Sequence, residues 1–354
     1  MVFFLLKKMA IKKIEIEEFV AIFKENLVLD VRSPGEYAHA HIPTAHSLPL
    51  FTNEERKVVG TAYKQESKEK AIKIGLDYFG PKMRALVEEV EELVKSKNTK
   101  ILVHCWRGGM RSGGVAWLLD LYGFEVYQLI GGYKAYRNWV LSQFERPYDI
   151  TILSGNTGSG KTPLLHELEK SGMQMVDLES LANHKGSALG GINQPPQPSQ
   201  EMFENLLAQK FSHKNLAEII LLEDESQRIG NVNIPNILWQ KMKESNLIYL
   251  QIPFDERLKY LVEEYGKLPF GELKSAILRI QKRLGGLETK NALQHLESQN
   301  LRDCFGILLR YYDKWYEKGL HAKENGEVIK IEGESVNVEA NAKKIIEQQW
   351  KKLN

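Results

Sequence analysis

Residues 149–170 read DITILSGNTGSGKTPLLHELEK. A short apolar run, a glycine-rich turn and a helical pattern follow one another. They predict a strand over Asp149–Leu153, a loop over Gly155–Thr162 and a helix over Pro163–Lys170. The loop, called the phosphate loop below, matches the P-loop pattern G-x-x-x-x-G-K-S/T. Strand, loop and helix in this order predict an α/β fold with a parallel sheet.

The residue types of the phosphate loop suit a diphosphate chain. Glycine allows tight turns in which consecutive backbone N–H groups face the phosphates. Lys161 can reach the terminal phosphate oxygens, and the Thr162 hydroxyl can bind Mg²⁺. The pattern indicates that the loop binds a diphosphate group. It does not indicate that the protein hydrolyses ATP. The predicted diphosphate-binding residues are Gly155, Asn156, Thr157, Gly158, Ser159, Gly160, Lys161 and Thr162.

A second glycine-rich loop, HCWRGGMRS at residues 104–112, is called the thiol loop below. It follows a predicted strand over Lys100–His104 and precedes a predicted helix over Gly113–Leu121. Backbone N–H groups at a helix N-terminus bind anions and favour the thiolate form of a nearby cysteine. Cys105 is therefore the predicted catalytic nucleophile. The predicted anion loop around it is Trp106, Arg107, Gly108, Gly109, Met110 and Arg111.

Two reaction classes use such a thiol. One is sulfur or selenium transfer through an adduct on cysteine, and the other is phosphate ester hydrolysis through a phosphocysteine. Five residues separate Cys105 from Arg111, which also satisfies the spacing of cysteine-dependent phosphatases. The loop alone does not separate these classes. A buried structural cysteine is less favoured, because two glycines and two arginines surround the thiol.

Polar clusters follow two other predicted strands, Gln174–Val176 and Ala217–Leu222. Ligands of α/β sheets bind at the carboxyl ends of strands, so both clusters are candidates for substrate or Mg²⁺ contacts. The alternative is that they are solvated loops. The candidate residues are Asp177, Glu179, His184, Lys185, Glu223, Asp224, Glu225 and Arg228.

The length, charge and cysteine content of the 354-residue chain exclude few classes of protein. A net charge of +2 and a pI of about 8.2 neither demand nor exclude nucleic acid. Cys105 and Cys304 have no ligand-spaced partners, so we expect neither a disulfide framework nor a structural metal site. This cysteine content fits a reducing cytoplasm. No apolar run approaches eighteen residues, which argues against a membrane segment.

The alternation of strands and helices predicts two domains, over residues 11–141 and 148–354. The segment between them contains Pro147 and few apolar residues. Residues 255–320 form a helical, partly basic C-terminal region. Within it, we predict a basic helix with a local charge of +4 over 267–283. The residues alone favour a solvated face, and a nucleic-acid surface is the alternative. The basic residues of this helix are Lys267, Lys274, Arg279, Lys282 and Arg283.

The aromatic residues that follow this basic segment allow two interpretations. Tyr312 and Trp315 fall at helical spacing with Leu301, Phe305 and Leu308, which favours a core stripe. Stacking on RNA bases by these two and by Tyr311 and Tyr316 is the alternative. Cys304 lies beside the stripe and is predicted to be an inert buried thiol.

Three stretches, DVRSPGEY at 30–37, HIPTA at 41–45 and Leu48-Pro49, resemble the rhodanese family over about residues 11–140. The thiol loop departs from the common sulfurtransferase loop by one extra residue between cysteine and arginine. Its length is nearer to the phosphatase branch of this fold, so ordinary thiosulfate sulfurtransfer is not expected. We interpret Asp30 as a structural residue, and Glu36, His39 and His41 as turn or packing residues.

The rhodanese-like part, the phosphate loop and both polar clusters together resemble the tRNA 2-selenouridine synthase family over about residues 11–265. The resemblance implies a rhodanese-like parallel-sheet domain followed by a P-loop NTPase-like α/β domain. It implies a cytoplasmic enzyme that geranylates the wobble 2-thiouridine of tRNA from geranyl diphosphate. The enzyme then replaces the geranylated sulfur with selenium from selenophosphate. The implied partners are this tRNA and the selenophosphate-producing enzyme.

Two other functions stay open from the residues alone. The first is a cysteine-dependent phosphatase or sulfurtransferase fused to a P-loop NTPase or kinase-like domain. The second is a non-catalytic protein in which a rhodanese-like sensor is attached to a nucleotide switch. Loss or survival of activity in a Cys105→Ser variant separates the catalytic functions from the switch.

Overall fold

The computed structural model describes residues 11–94, 99–187, 189–321 and 326–353. Side chains are described over the same ranges except 315–321 and 349–353. The chain divides into two compact units between Gln143 and Phe144. Each unit is an α/β structure with its own parallel sheet, which confirms the predicted fold class.

The first unit has short strands connected by helices. Its described strands are β1 (Lys12–Ile14), β2 (Leu27–Asp30), β3 (His46–Ser47), β4 (Ile101–His104) and β5 (Val126–Leu129). Its described helices are α1 (Ile16–Ile22), α2 (Pro34–His39), α3 (Asn53–Gln65), α4 (Lys68–Phe79), α5 (Met83–Leu93), α6 (Met110–Tyr122) and α7 (Gly132–Gln143), with a 3₁₀ turn at Gly80–Lys82.

The sheet of the first unit has the order β1-β5-β4-β2-β3 in the described residues, and all its pairings are parallel. β4 is central and fully buried, which explains its uninterrupted apolar run Ile-Leu-Val before His104. Helices α5 and α6 pack on it through Val90, Val115 and Leu119. The thiol loop therefore leaves the middle of the sheet at its carboxyl end.

The second unit continues the same pattern with a larger helical part. Its described strands are β6 (Ile150–Gly155), β7 (Gln174–Val176), β8 (Ile220–Glu223), β9 (Arg228–Ile229), β10 (Val232–Asn233), β11 (Asn246–Gln251) and β12 (Val328–Glu332). Its described helices are α8 (Lys161–Lys170), α9 (Leu178–Ala182), α10 (Gln200–Ser212), α11 (Asn236–Glu244), α12 (Phe254–Tyr265), α13 (Phe270–Arg279), α14 (Gln281–Leu284), α15 (Gly286–Glu297), α16 (Leu301–His321) and α17 (Val338–Leu353).

The main sheet of the second unit has the order β12-β11-β6-β8-β7 among the described residues, again with parallel pairings. β6, which carries the phosphate loop, lies between β11 and β8. Helices α12–α16 form a separate apolar cluster around Phe305 and Leu309. Strands β9 and β10 form a two-stranded antiparallel hairpin.

Both loop helices begin earlier than the sequence predicts. α6 begins at Met110 rather than Gly113, and α8 begins at Lys161 rather than Pro163. Glycine-rich segments resemble loops in sequence, yet the residues after the last glycine already adopt helical geometry. The last residues of each loop therefore lie in the first helical turn, where backbone N–H groups lack partners within the helix.

The prediction of a single basic helix over 267–283 is wrong. Pro269 caps α13, α13 ends at Arg279, and the short α14 follows from Gln281. Lys267 lies before the proline, in the turn that follows α12. Proline lacks a backbone donor and its ring clashes with the preceding turn, which accounts for a helix boundary at this position. Within the described residues, every helix is too short or too polar to cross a membrane.

Candidate functional site

The thiol loop begins where β4 ends, and it places Cys105 under the N-terminus of α6. The cysteine is 3% exposed. Two backbone hydrogen bonds connect the loop to the start of α7. Tyr133 N donates to Cys105 O at 2.8 Å, and Lys134 N donates to Trp106 O at 3.0 Å. The position of the thiol is therefore determined by the neighbouring strand connection as well as by β4.

Two glycines allow this close approach of backbones. Gly108 has φ +62°, and a Cβ there would lie 2.4 Å from the Leu129 carbonyl oxygen. Gly132 has φ +58°, and a Cβ there would lie 2.3 Å from the Cys105 carbonyl oxygen. Both positions require glycine for conformation and for space. The sequence predicted Gly108 as part of the anion loop, whereas the role of Gly132 became visible only in the fold.

The thiol is surrounded by hydrogen-bond donors. Its Sγ lies 3.2 Å from the Ser112 hydroxyl oxygen. Burial raises the pKa of the Cys105 thiol. The Ser112 hydroxyl and the backbone N–H groups of Ser112 and Arg107 outweigh burial, with help from the Arg111 charge, so the net pKa lies below its ordinary value. This environment favours the thiolate, the reactive form of cysteine.

Ser112 is itself positioned by a residue that the sequence did not single out. The Gln128 amide on β5 donates to the Ser112 hydroxyl at 2.9 Å and to the Gly108 carbonyl at 3.0 Å. One side chain thus connects the middle and the end of the thiol loop to the adjacent strand. Ser112 is the last residue of the thiol loop. Its hydroxyl group, so close in sequence to Cys105, is the feature from which its contact with the thiol could have been predicted.

Replacing Ser112 with alanine is expected to raise the pKa of Cys105. The variant loses the hydroxyl that stabilises the thiolate and keeps the backbone donors. The pH midpoint for alkylation of Cys105 by iodoacetamide should therefore move up. Peptide mass spectrometry would measure the rate. Gln209→Ala, an unrelated change on α10, is the control, and an unchanged midpoint in Ser112→Ala would contradict this electrostatic account.

The arginines of the thiol loop have different environments. Arg111 forms a two-point ion pair with Glu36, at 2.7 and 3.3 Å. Burial raises the pKa of Glu36, but its bonds with Arg111 and the Ser33 N–H lower the net value below the ordinary range. Arg107 is exposed, and Trp106 contacts the Tyr133 ring. Arg107 is thus the more accessible of the two cations.

Asp30, the acid at the end of β2, has the structural environment that the sequence indicated. Asp30 is buried and forms a two-point ion pair with Arg32, whose guanidinium lies 3.8 Å from the centre of the Tyr133 ring. Arg32 also donates to the Ala40 carbonyl at 2.7 Å. His41 stacks on Tyr37. Glu36 accepts from the Ser33 N–H as a helix cap, and its ion pair with Arg111 was not predicted.

The phosphate loop connects β6 to α8 through two left-handed glycines. Gly158 has φ +80° and Gly160 has φ +74°. A Cβ on Gly160 would lie 2.5 Å from the Val336 side chain, and one on Gly158 would lie 3.0 Å from the Arg257 carbonyl oxygen. Gly155 is the last residue of β6 rather than a loop residue. The glycine spacing of the motif therefore has a direct steric reason.

The two motif side chains that face phosphates have contacts within the protein. Lys161 donates from Nζ to the Gly155 carbonyl at 2.7 Å. The Thr162 hydroxyl donates to Glu179 at 3.0 Å. The Ser159 hydroxyl is buried and has no hydrogen-bond partner in the described part of the chain. A diphosphate in the loop would offer acceptors to all three groups.

A buried ion pair holds the phosphate loop from the helical side. Arg257 on α12 forms a two-point pair with Asp313 on α16, at 2.9 and 2.8 Å. Arg257 also donates to the Thr157 carbonyl at 3.1 Å. Asn156 donates to Asp313 at 3.0 Å and accepts from the Tyr249 hydroxyl at 2.8 Å. Sequence reasoning missed these supporting residues, which lie far from the motif along the chain.

The phosphate loop opens into a cavity of about 1090 Å³. Aromatic side chains, among them Tyr260, Tyr265 and Tyr312, line it together with polar groups. Of the predicted contacts, Asp177, Glu179, Lys185, Asp224 and Glu225 line the cavity with residues 157–162. His184, Glu223 and Arg228 do not line it.

Two glutamates near the phosphate loop have raised pKa values, which favours their protonated forms. Burial, followed by the charge of Asp177, raises the pKa of Glu223 well above its ordinary value. Burial, followed by the charge of Glu179, does the same for the pKa of Glu225, while Lys161 opposes the rise. Glu223 accepts from the Leu178 N–H at 2.9 Å, and Asp224 accepts from the Ser154 hydroxyl at 2.5 Å. The cavity is thus rich in carboxylates, with Asp224 and Glu225 in its lining and Glu223 buried beside it.

The other predicted contacts have local partners. Asp177 caps α9 by accepting from the Ser180 N–H at 2.7 Å, and it contacts His166 at 2.9 Å. Lys185 pairs with Glu264 at 2.8 Å. Burial, followed by the charge of Arg279, lowers the pKa of His184. Arg228 donates to the Gly230 carbonyl at 2.8 Å, within its own hairpin connection.

The candidate RNA-contacting residues are mostly exposed. Lys274 is half-buried and pairs with Glu297 at 3.0 Å. The exposed residues of this set are Lys267, Arg279, Lys282 and Arg283. The predicted core stripe is confirmed at Phe305 and Leu308, but Tyr312 is half-buried and lines the cavity. The Trp315 and Tyr316 side chains lie outside the described residues. Cys304 is buried, which raises the pKa of its thiol to about 11.

Comparison with known proteins covers both units. A family model of the tRNA 2-selenouridine synthase AAA domain matches residues 148–348, and one of the rhodanese-like domain matches residues 15–138. A relative from Hydrogenovibrio crunogenus, named tRNA 2-selenouridine synthase, is 35% identical over 87% of this chain and 93% of its own. Relatives of the same name from a Sulfurovum species and Shewanella denitrificans are 33% and 34% identical, each over 88% of this chain and 93% and 94% of theirs.

Proposed function

The chain belongs to the tRNA 2-selenouridine synthase family, and from this premise we propose a transferase that converts wobble 2-thiouridine in tRNA to 2-selenouridine. The observation that carries the proposal is the presence of two anion-binding loops in one chain. One contains an activated thiol and the other is a phosphate loop above a large cavity. We assign them to functional domains over residues 11–141 and 148–354.

In the first proposed step, the phosphate loop binds geranyl diphosphate. The thiocarbonyl sulfur of the base attacks the first geranyl carbon, and the carbon–oxygen bond to diphosphate breaks. Diphosphate leaves with the electron pair, and the base loses its N3 proton. Lys161 and the N–H groups of residues 157–162 would stabilise the charge that develops on diphosphate. Tyr260, Tyr265 and Tyr312 offer apolar ring surface for the geranyl chain.

In the second proposed step, the thiol loop supplies selenium. Selenium attacks C2 of the geranylated base, the C2–sulfur bond breaks, and geranylthiol leaves after taking up a proton. Water accepts the phosphoryl group of selenophosphate, which releases phosphate. Cys105, with Arg107 and the α6 N-terminus, either holds the selenophosphate anion beside C2 or takes its phosphoryl group on the thiolate, which frees selenide, and water then hydrolyses this adduct. Alkylation makes the sulfur a better leaving group, which explains the order of steps.

The phosphate-loop cavity also fits Mg²⁺ as a cofactor. The Thr162 hydroxyl, Asp224 and Glu225 provide oxygen ligands of the type that Mg²⁺ prefers. Burial, followed by the charge of Glu179, raises the pKa of Glu225, and a cation beside this carboxyl would oppose that rise. The described residues contain no cluster of three or more His, Cys, Asp or Glu side chains arranged to hold a metal alone. When bound with the substrate phosphates, Mg²⁺ would neutralise the leaving diphosphate.

The remaining partners follow from the same chemistry. The basic residues of α13, α14 and the turn before α13 would contact tRNA phosphates. Lys282 and Arg283 are consecutive in the sequence and both exposed. Selenophosphate is supplied by a selenophosphate-producing enzyme, which we propose as a transient partner. A cytoplasmic location fits the substrate and the free, buried thiols Cys105 and Cys304.

The test of this function is nucleoside mass analysis. Purified full-length protein is incubated with 2-thiolated tRNA, geranyl diphosphate and selenophosphate, and the wobble nucleosides are then analysed. We expect the S-geranyl nucleoside without selenophosphate and the 2-seleno nucleoside with both co-substrates. The proposal fails if thiolated tRNA is recovered unchanged from the complete mixture, while a curated relative assayed beside it converts its tRNA.

The spacing of Cys105 and Arg111 favours one alternative, a cysteine-dependent phosphatase. In that enzyme class the arginine would hold the phosphate, whereas here Arg111 is engaged by Glu36 at 2.7 Å. Incubation with an aryl phosphate tests the alternative directly. Turnover that is lost in Cys105→Ser, without any change in tRNA, would favour the phosphatase.

A further inference from the structure

A second cavity, here called the apolar pocket, lies in the first unit beside the thiol loop. Its volume is about 550 Å³. Helices α3, α4 and α6 and the start of α5 form its walls. Small and apolar residues dominate these walls, so the pocket offers few groups for a polar ligand. They include Val59, Ala71, Ile72, Gly75, Leu76, Phe79, Met83 and Gly114.

The apolar pocket begins at the thiol loop. Met110, Gly114 and Trp117 line it, and their spacing places them along one face of α6. α6 starts at the loop, so this face leads away from the thiol for about 10 Å. Met110 and Arg111 belong to both the loop and the pocket wall. An anion-binding loop therefore passes directly into an apolar channel.

Several large apolar side chains at this pocket are exposed. Leu76 is 56% exposed, Met110 is 56% exposed and Trp117 is 49% exposed. Three charged residues line the pocket, Arg56, Lys64 and Arg111. Arg56 and Arg111 lie near Glu36 on the loop side, at 3.7 and 2.7 Å. An exposed apolar pocket with an arginine pair at its loop end fits a ligand whose polar head lies at the loop and whose tail is hydrocarbon.

We propose that the apolar pocket holds the geranyl chain of the S-geranylated wobble base while the thiol loop delivers selenium. The inference rests on the proposed function and assigns its second step a substrate subsite. C2 of the base must lie near the thiol loop, and the sulfur attached to C2 carries the ten-carbon chain. A channel that starts at the loop can receive this chain and the departing geranylthiol. Plain 2-thiouridine cannot fill it, so the pocket makes selenation selective for the geranylated base.

The test compares two pairs of variants in the full-length protein. Gly114→Leu fills the pocket, while Gly114→Ala is its control. A Cβ at this position meets only the Phe79 ring, at 3.6 Å, an ordinary contact. Leu76→Asp places a charge in the pocket. Its control, Leu121→Asp, changes a leucine of matching exposure, 57%, that does not line the pocket. Both leucines lie in the C-terminal part of a helix, so both changes carry a similar local cost.

The substrate is an S-geranylated anticodon stem-loop, supplied with selenophosphate. We expect Gly114→Leu and Leu76→Asp to raise KM for this RNA about tenfold, with the controls within about twofold of wild type. All four variants should geranylate thiolated RNA normally, and an unchanged rate of Cys105 alkylation by iodoacetamide reports on the folding of the first unit. Unchanged KM in both pocket variants would overturn the inference. A change in oligomeric mass without a change in KM would also overturn it, in favour of a second copy as the occupant. If wild-type protein leaves geranylated RNA unselenated, the proposed function itself fails.

Discussion

The Cys105→Ser protein is expected to lose selenium incorporation by about a thousandfold or more, while geranylation of thiolated tRNA continues at the wild-type rate. A serine hydroxyl does not ionise near neutral pH and is a poor nucleophile without a dedicated base. The donors that stabilise the Cys105 thiolate, Ser112 and the N-terminal N–H groups of α6, cannot compensate for this difference. The phosphate loop is formed by residues of the other unit and does not include Cys105. Geranylated tRNA should therefore accumulate.

This experiment is sharpest when the second step is isolated. Pre-geranylated RNA and selenophosphate are supplied, and formation of 2-selenouridine is followed by mass spectrometry. Cys304→Ser is the matched control, because this thiol is buried in the helical cluster with its pKa raised to about 11. We expect it to keep full activity. If Cys105→Ser still selenates RNA, the assignment of Cys105 as the catalytic residue is wrong.

The two loops were predictable because their chemistry is local. Glycine spacing, a reactive or charged side chain and a flanking strand and helix all lie within about 20 consecutive residues. Such segments indicate their geometry directly, since the helix N-terminus and the left-handed glycines belong to the same stretch. The structure adds that Gly108 and Gly160 also avoid steric overlap with distant groups, the Leu129 carbonyl and the Val336 side chain. Nothing near the loops in sequence identifies those neighbours.

The partners of the loops were not predictable for the same reason. Gln128 reaches the thiol loop because β5 pairs with β4, a consequence of sheet order. Asp313 meets Asn156 and Arg257 because α16 packs against α12. A single sequence does not specify such long-range pairings. The carboxylate cluster was found only as a set of candidates. The cavity lining then separated Glu223, outside the cavity, from Asp224 and Glu225, which line it.

Lys161→Ala is expected to reduce geranylation by at least about a hundredfold. The ammonium group is the motif's cation for the terminal phosphate oxygens, and it lies 2.7 Å from the Gly155 carbonyl at the mouth of the loop. Its removal leaves backbone N–H groups to stabilise the leaving diphosphate, which develops negative charge in the transition state. Formation of S-geranyl-2-thiouridine from geranyl diphosphate, measured by mass spectrometry at saturating tRNA, gives the rate.

The matched control is Lys170→Ala at the other end of the same helix, α8. Lys170 is exposed and pairs with Glu167, so its loss should leave geranylation within about twofold of wild type. Supplying pre-geranylated RNA to Lys161→Ala should restore 2-selenouridine formation, because the thiol loop is intact. Normal geranylation by Lys161→Ala would exclude the phosphate loop as the geranyl diphosphate site. Loss of selenation even from pre-geranylated RNA would instead show that the phosphate loop also takes part in the second step.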